Sequence, residues 1–376
     1  MRSTVSMKLV PAASMDDRRL MARALELARR GLYTTHPNPR VGCVIVRDGE
    51  VVGEGYHQYA GGPHAEVYAL AQAGERARGA CAYVTLEPCS HQGRTPPRAQ
   101  ALIQAGVRRV VAAQEDPNPL VRGRGLRLLQ EAGIEVSCGL LENEAEALNP
   151  GFLRRMRGGL PWVRVKMACS LDGRTAMASG ESQWISAAPA RRDVQRWRAR
   201  SHAILTGIGS VLADDPRLDL RAELWQDEDF PQRSSLLRLV LDSHYRTPLQ
   251  ARLVGAASDL WVLGGEENAG ASALRSQGVR ILSFAGDRPQ PREVLQRLAQ
   301  EGINEVLIEA GPRLAGSFVA AHCVDELLLY MAPTLLGSAA RPLLELPLQT
   351  MSEQLRWQVI DQRQVGDDWR LHMRRA

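Results

Sequence analysis

The chain has 376 residues, 44% hydrophobic and 24% charged, with a formal net charge of +5 and a pI near 9.0. That length exceeds one ordinary core and predicts two domains. The charge excess is mild and scattered, so a nucleic-acid surface is not demanded, and a small anionic substrate would explain it equally well.

In chain order, the N-terminal residues 1–14 read as a flexible tail with no apolar core of signal-peptide length. "VGCVIVRDGEVVGEG" reads as two strands joined by a turn at Asp48-Gly49. A helix from His64 follows, with Val67, Leu70 and Ala71 as its inward face. "CAYVTLEP" is a strand, "PPRAQALIQAG" a helix, "VRRVVAA" a strand, and "GLRLLQEAG" with "IEVSCG" a further helix-strand pair. These predict an α/β domain over 15–148.

Asn149-Pro150-Gly151 and Gly158-Gly159-Leu160-Pro161 break regular structure and read as a linker over 149–161. Over 162–376 a second α/β series offers seven strands: "WVRVKMACS", "HAILTG", "LRLVLD", "DLWVLG", "VRILSF", "NEVLIEAG" and "DELLLYMAP". Helices "APARRDVQRWRARS" and "PREVLQRLAQEG" lie between them, and "AELWQDEDFPQRSS" reads as a solvated insertion. No stretch approaches the ~20 apolar residues that span a bilayer. The six cysteines, unpatterned, read as reduced thiols of a cytoplasmic protein.

Two short stretches carry chemistry. His64 and Glu66, two apart at a helix start, allow one side chain to bind metal while the other faces a substrate. Cys89, after Pro88 at a strand-to-helix turn, supplies a second soft ligand. Hydrolytic deaminases need such a set, because zinc lowers the pKa of its bound water to about 7 while an unligated glutamate moves protons. Alone, a His-x-Glu or a Pro-Cys is common by chance; in this order they point to a zinc deaminase.

At this point the chain resembles a known family. "THPNPRVGCVIV", "GYHQYAGGPHAEVYAL" and "YVTLEPCSHQGRTPP" look like the deaminase half of the bifunctional riboflavin-biosynthesis deaminase/reductases. "VKMACSLDGRTAMASGESQWIS", "HAILTGIGSVLADDPRL" and "VLIEAGPRLAGSF" resemble the reductase half. The resemblance implies a cytidine-deaminase-like α/β/α domain followed by a dihydrofolate-reductase-like α/β domain. It also implies His64 and Cys89 as zinc ligands, Glu66 as the catalytic proton carrier, and Asn38 and His57 around substrate and metal.

The third ligand departs from the pattern. A cysteine three positions after Cys89 would be Gln92, and the position this family uses is Arg98. A guanidinium cannot ligate zinc and stays protonated. Cys81 shares the strand leading to Cys89 and lies too far back, and Cys43 reads as core. His91 is the substitute with suitable chemistry. Three accounts follow: a reductase with an inactive deaminase domain, weak zinc binding through a substitute, or Arg98 as a single-base variant of a cysteine codon.

The second half has no G-x-G-x-x-G after a strand, which disfavours a Rossmann site. "EAGPRLAGSF" instead places glycines at a helix start after an apolar strand, where backbone N–H groups can hold phosphates. The resemblance implies NADPH, contacted by Ala168, Trp184, Ser210, Asp214, Ser243 and the run Gly311, Pro312, Arg313, Leu314, Ala315, Gly316 and Ser317. It implies substrate contacts at Ser182, Arg198, Arg217, Leu218, Arg221 and Glu309, with Lys166 and Asp214 near the reacting sugar. Read without it, Trp184 is equally core, Arg198 a solvated helix face, and Asp214-Asp215-Pro216 a turn. The expected partner is a phosphoribosylaminopyrimidine substrate, with no nucleic acid and no membrane, in a homo-oligomer, a dimer first.

Overall fold

A computed structural model describes residues 15–89, 98–119, 121–221, 224 and 236–376. The described residues form two compact units, one up to Gly159 and one from Leu160 on.

The first unit runs α1 (Met15–Arg29), β1 (Gly42–Arg47), β2 (Glu50–Tyr56), α2 (Ala65–Ala73), β3 (Cys81–Val84), α3 (Arg98–Gln104), β4 (Arg109–Ala112), α4 (Arg124–Glu131), β5 (Glu135–Cys138), α5 (Glu142–Leu148) and α6 (Pro150–Met156). Its sheet has the order β2-β1-β3-β4-β5. The β1–β2 hairpin turns at Asp48 and Gly49, both at positive φ, as the sequence predicts. Along β1, Cys43 and Ile45 enter one core with residues of α2, α3, α4 and α6. Val44 and Val46 enter another with α1 and α5. Strand alternation thus makes an α/β/α sandwich.

Two local expectations are corrected. The helix begins at Ala65, with His64 as its N-cap residue, and it buries Ala65, Glu66, Ala69 and Ala73. Val67 is 38% exposed and Ala71 is exposed as well. The reason is close approach to β2: a Cβ on Gly53 would lie 2.1 Å from the Ala69 carbonyl oxygen, and one on Gly55 2.4 Å from that of Ala65. Only small residues fit there. Second, the 149–161 stretch contains α6, opened by Pro150 at its first turn, where proline is suited. Phe152 and Leu153 of α6 join the first core.

The second unit runs β6 (Trp162–Ser170), β7 (Arg174–Ala176), α7 (Ala188–Arg200), β8 (Ala203–Gly207), α8 (Ile208–Asp214), β9 (Leu237–Leu241), β10 (Leu260–Gly264), α9 (Ala269–Ser276), β11 (Arg280–Ser283), α10 (Pro291–Gln300), β12 (Glu305–Ile308), α11 (Pro312–Ala320), β13 (Glu326–Ala332), β14 (Arg341–Pro342), β15 (Trp357–Val365) and β16 (Asp368–Arg375). Nine strands form one sheet, β11-β10-β9-β8-β12-β6-β13-β16-β15. All seven expected strands are present and mutually parallel, and an antiparallel β15–β16 hairpin follows. Asp214 ends α8, and Asp215, at positive φ, makes the turn. The expected insertion lies almost wholly outside the described residues.

Parallel strands share one carboxyl end, and ligands of open α/β sheets bind in the crevice beyond it. Here the adjacent strands β9, β8, β12 and β6 bring their carboxyl ends together.

Candidate active sites

In the first unit the chain turns from β2 to α2 and brings His57, His64 and Glu66 close. Asn38 Nδ2 lies 3.1 Å from His57 Nε2, and His57 Nδ1 lies 2.9 Å from the Pro63 carbonyl oxygen. A carbonyl only accepts, so Nδ1 carries the proton and Nε2 accepts from the Asn38 amide. The rings of His57 and His64 meet edge to face at 5.3 Å. Glu66 is 2% exposed, and its Oε2 has no hydrogen-bond partner.

Electrostatics follow from burial. Burial first, then the Arg98 and His57 charges, lower the His64 pKa to about 4. Burial lowers His57 too, against the Pro63 hydrogen bond and with help from Arg98. Glu66 is raised by burial, with its own backbone N–H and Arg98 opposing. With the His57 lone pair taken by Asn38, the neutral His64 imidazole is the group of this set with a lone pair to offer a metal.

Cys89 follows β3 across a braced turn. Glu87, 3% exposed, accepts four backbone N–H groups: Asp116 at 3.1 Å, Gly123 at 2.9 Å, Gly125 at 2.8 Å and Leu126 at 3.4 Å. Gly125 lies so close that a Cβ there would sit 1.9 Å from the Pro88 carbonyl oxygen. The Cys89 carbonyl accepts from the N–H groups of Arg98 at 2.9 Å and Ala99 at 3.3 Å. Position 98 is therefore seated beside Cys89 by the backbone, and its side chain is buried. Cys43 is fully buried core. His91 lies outside the described residues.

A zinc ion fits this set only in part. His64 and Cys89 are suitable donors, but Arg98 has none to offer. Among the described residues no three His, Cys, Asp or Glu side chains gather to hold a metal ion.

In the second unit Arg198 of α7 reaches the carboxyl end of β12. Its Nε and Nη2 donate to the two Glu309 oxygens at 2.7 and 3.0 Å, and Nη1 donates to the Asp219 carbonyl at 3.0 Å. Its side chain is 11% exposed, so the solvated-face reading is overturned. Burial pushes the Glu309 carboxyl up, but the adjoining Arg198 outweighs it and holds it below the usual range. Ile308 pairs with Val165, which sets Lys166 beside Glu309. Burial lowers the Lys166 pKa, Glu309 opposes, and its Nζ lies 5.8 Å from the Tyr330 ring centre.

The expected cofactor contacts fall largely along the same crevice. Ser210 follows β8, Ser243 follows β9, and Gly311 caps α11 after β12. Leu314 packs where a Cβ on Gly207 would stand 2.9 Å away, and Gly316 passes 2.2 Å, measured likewise, from the Glu345 carbonyl oxygen. Ala168 lies on β6, Arg313 and Ser317 are exposed on α11, and Asp214 is exposed at the end of α8. Ser182 and Trp184 precede α7; Trp184 is 63% exposed under Arg191, whose guanidinium carbon lies 4.5 Å from its ring centre, so it is not core. Of the segment between α8 and β9, Arg217 pairs with Asp219, Leu218 is buried at positive φ, and the Arg221 N–H donates to Gln195 at 3.0 Å. Gln195 and Glu87 escaped sequence reasoning: both act through backbone groups distant in sequence.

Comparison with known proteins now decides the family. Residues 161–371 match the model of the RibD C-terminal domain, and 14–114 that of the cytidine and deoxycytidylate deaminase zinc-binding region. The riboflavin biosynthesis protein RibD of Escherichia coli is 53% identical, covering 96% of this chain and 99% of its own. The chain belongs to the RibD family. Among solved structures, Acinetobacter baumannii RibD is similar at 48% identity with a TM-score of 0.89, covering 96% of this chain and 99% of its own. A Thermotoga maritima deaminase/reductase reaches 0.82 at 30% identity, covering 96% and 98%. The first unit is thus cytidine-deaminase-like and the second dihydrofolate-reductase-like, as the resemblance implied. Like other RibD proteins, this one is a bifunctional deaminase/reductase of riboflavin biosynthesis. Among the described residues no helix is long and apolar enough to cross a membrane.

Proposed function

We propose that the second unit uses NADPH to reduce the ribosyl group of a phosphoribosylaminopyrimidine to ribityl, after the first has deaminated the ring amine. The buried Arg198–Glu309 pair beside Lys166 carries this reading. In it, backbone N–H groups from Gly311 to Ser317 hold the cofactor's phosphates at the start of α11. Ala168, Trp184, Ser210, Asp214 and Ser243 complete its surroundings. Ser182, Arg198, Arg217, Leu218, Arg221 and Glu309 contact the substrate, whose phosphate suits the paired charge-assisted bonds of an arginine fork.

In the first unit Asn38 and His57 position the pyrimidine. Glu66, with one oxygen unsatisfied, takes a proton from the attacking water and gives it to the leaving amine. The enzyme works in the cytoplasm as a homodimer. The test is NADPH consumption by the full-length chain with the deaminated phosphoribosylaminouracil. Turnover that requires the phosphate supports the reading, and equal turnover of the dephosphorylated compound rejects the arginine assignment.

A further inference from the structure

Position 98 is where the geometry and the donor chemistry of the first unit disagree. Its N–H is tied to the Cys89 carbonyl at 2.9 Å, so the backbone itself seats the residue beside Cys89. The Arg98 side chain turns inward, 7% exposed, and its charge acts on His57, His64 and Glu66 together. Catalytic zinc takes three protein ligands and leaves its fourth position to water. A guanidinium offers five N–H groups and no lone pair, and it keeps its charge at any physiological pH. Position 98 thus withholds a donor and brings a permanent cation whose charge acts on the candidate ligand His64.

We infer that Arg98 makes zinc binding by the first unit weak, so that deamination depends on zinc supplied in excess while reduction does not. The inference rests on His64 and Cys89 as the remaining ligands. Restoring the donor tightens zinc binding by more than about a hundredfold, since even losing a hydrogen bond behind a ligand costs 10–100-fold.

The experiment compares three full-length proteins, unaltered, Arg98→Cys and Arg98→Ala. Each is purified from zinc-supplemented medium without chelators, dialysed against a mild zinc buffer, and analysed for zinc by elemental analysis. Far-UV circular dichroism and melting curves that overlay those of the unaltered chain report that both units of each are folded. Arg98→Cys retains about one zinc per chain, and the other two less than about a tenth. Near-full zinc in the unaltered chain overturns the inference. So does a folded Arg98→Cys protein without zinc, because position 98 then does not decide retention. Full zinc in Arg98→Ala overturns the missing-donor argument and leaves charge alone. Should Arg98→Cys hold zinc yet release no ammonia from the diaminopyrimidine, the zinc inference stands and the proposed substrate falls.

Discussion

Arg98 and Arg198 are both buried guanidiniums beside a functional carboxylate, and they are treated differently. Arg198 meets Glu309 through two hydrogen bonds and spends its remaining nitrogen on the Asp219 carbonyl. Its charge is cancelled, and the pair is held ready at the crevice. The charge of Arg98 acts on two imidazoles, lowering both, and on the Glu66 carboxyl, where it opposes the effect of burial. One arginine is held by a carboxylate, and the other stands at a position where a zinc site would need a lone pair.

Arg164 sharpens the first half of that contrast. It is fully buried at the middle of the sheet, with Glu305 and Glu326 each at 2.6 Å. Arg164→Met leaves two buried carboxylates facing each other and should cost about 3–5 kcal/mol in urea unfolding. A loss below about 1 kcal/mol would mean His372 and Arg374, both 3.1 Å from Glu326, suffice as partners.

Asp116 is the opposite case, a buried carboxyl in no ion pair among the described residues. Burial first, and the Glu87 charge after it, raise its pKa from 3.8 to about 6. A raised folded-state pKa contributes stability that is complete below about 4 and is lost as pH rises through about 6. Asp116→Asn keeps an oxygen for the Asn118 N–H, so it should stabilise the protein by about 2 kcal/mol at pH near 8 and little near 4. Melting curves of equal shift at both pH values would refute this.

Arg198→Ala should raise the KM of the phosphorylated substrate about 10–100-fold while leaving that of NADPH within about twofold, in steady-state NADPH oxidation. An unchanged substrate KM would reduce Arg198 to a partner of Glu309. The smallest effect is Tyr330→Phe, which deletes a 2.6 Å bond to Asp193 that Arg370 also satisfies at 2.7 Å. About 1 kcal/mol is expected, and a cost above about 3 kcal/mol would show that Arg370 alone cannot hold Asp193.

The parallel strands of the second unit were legible because strands buried on both faces read as apolar runs. The β15–β16 hairpin was not, since β15 is mostly exposed and "WQVIDQRQV" carries no comparable signal. His64, Glu66 and Cys89 could be singled out as candidates from spacing and turn type. The inward face of α2 could not: periodicity assigns hydrophobic residues inward, whereas here the packing distance to Gly53 and Gly55 selected alanines, with Glu66 buried among them. The pairing of Arg198 with Glu309 joins residues 111 apart, beyond any local pattern.

The bonds that seat position 98 come from backbone N–H groups, and the turn before it is fixed by the Glu87 carboxylate. Neither support involves the side chain at 98. If Arg98 weakens zinc binding as inferred, one codon would set which ion, if any, the site accepts. Cysteine, histidine or aspartate at this position would each give a donor of different hardness on one scaffold. That makes the chain a ready host for comparing zinc with other divalent metals in the same cavity.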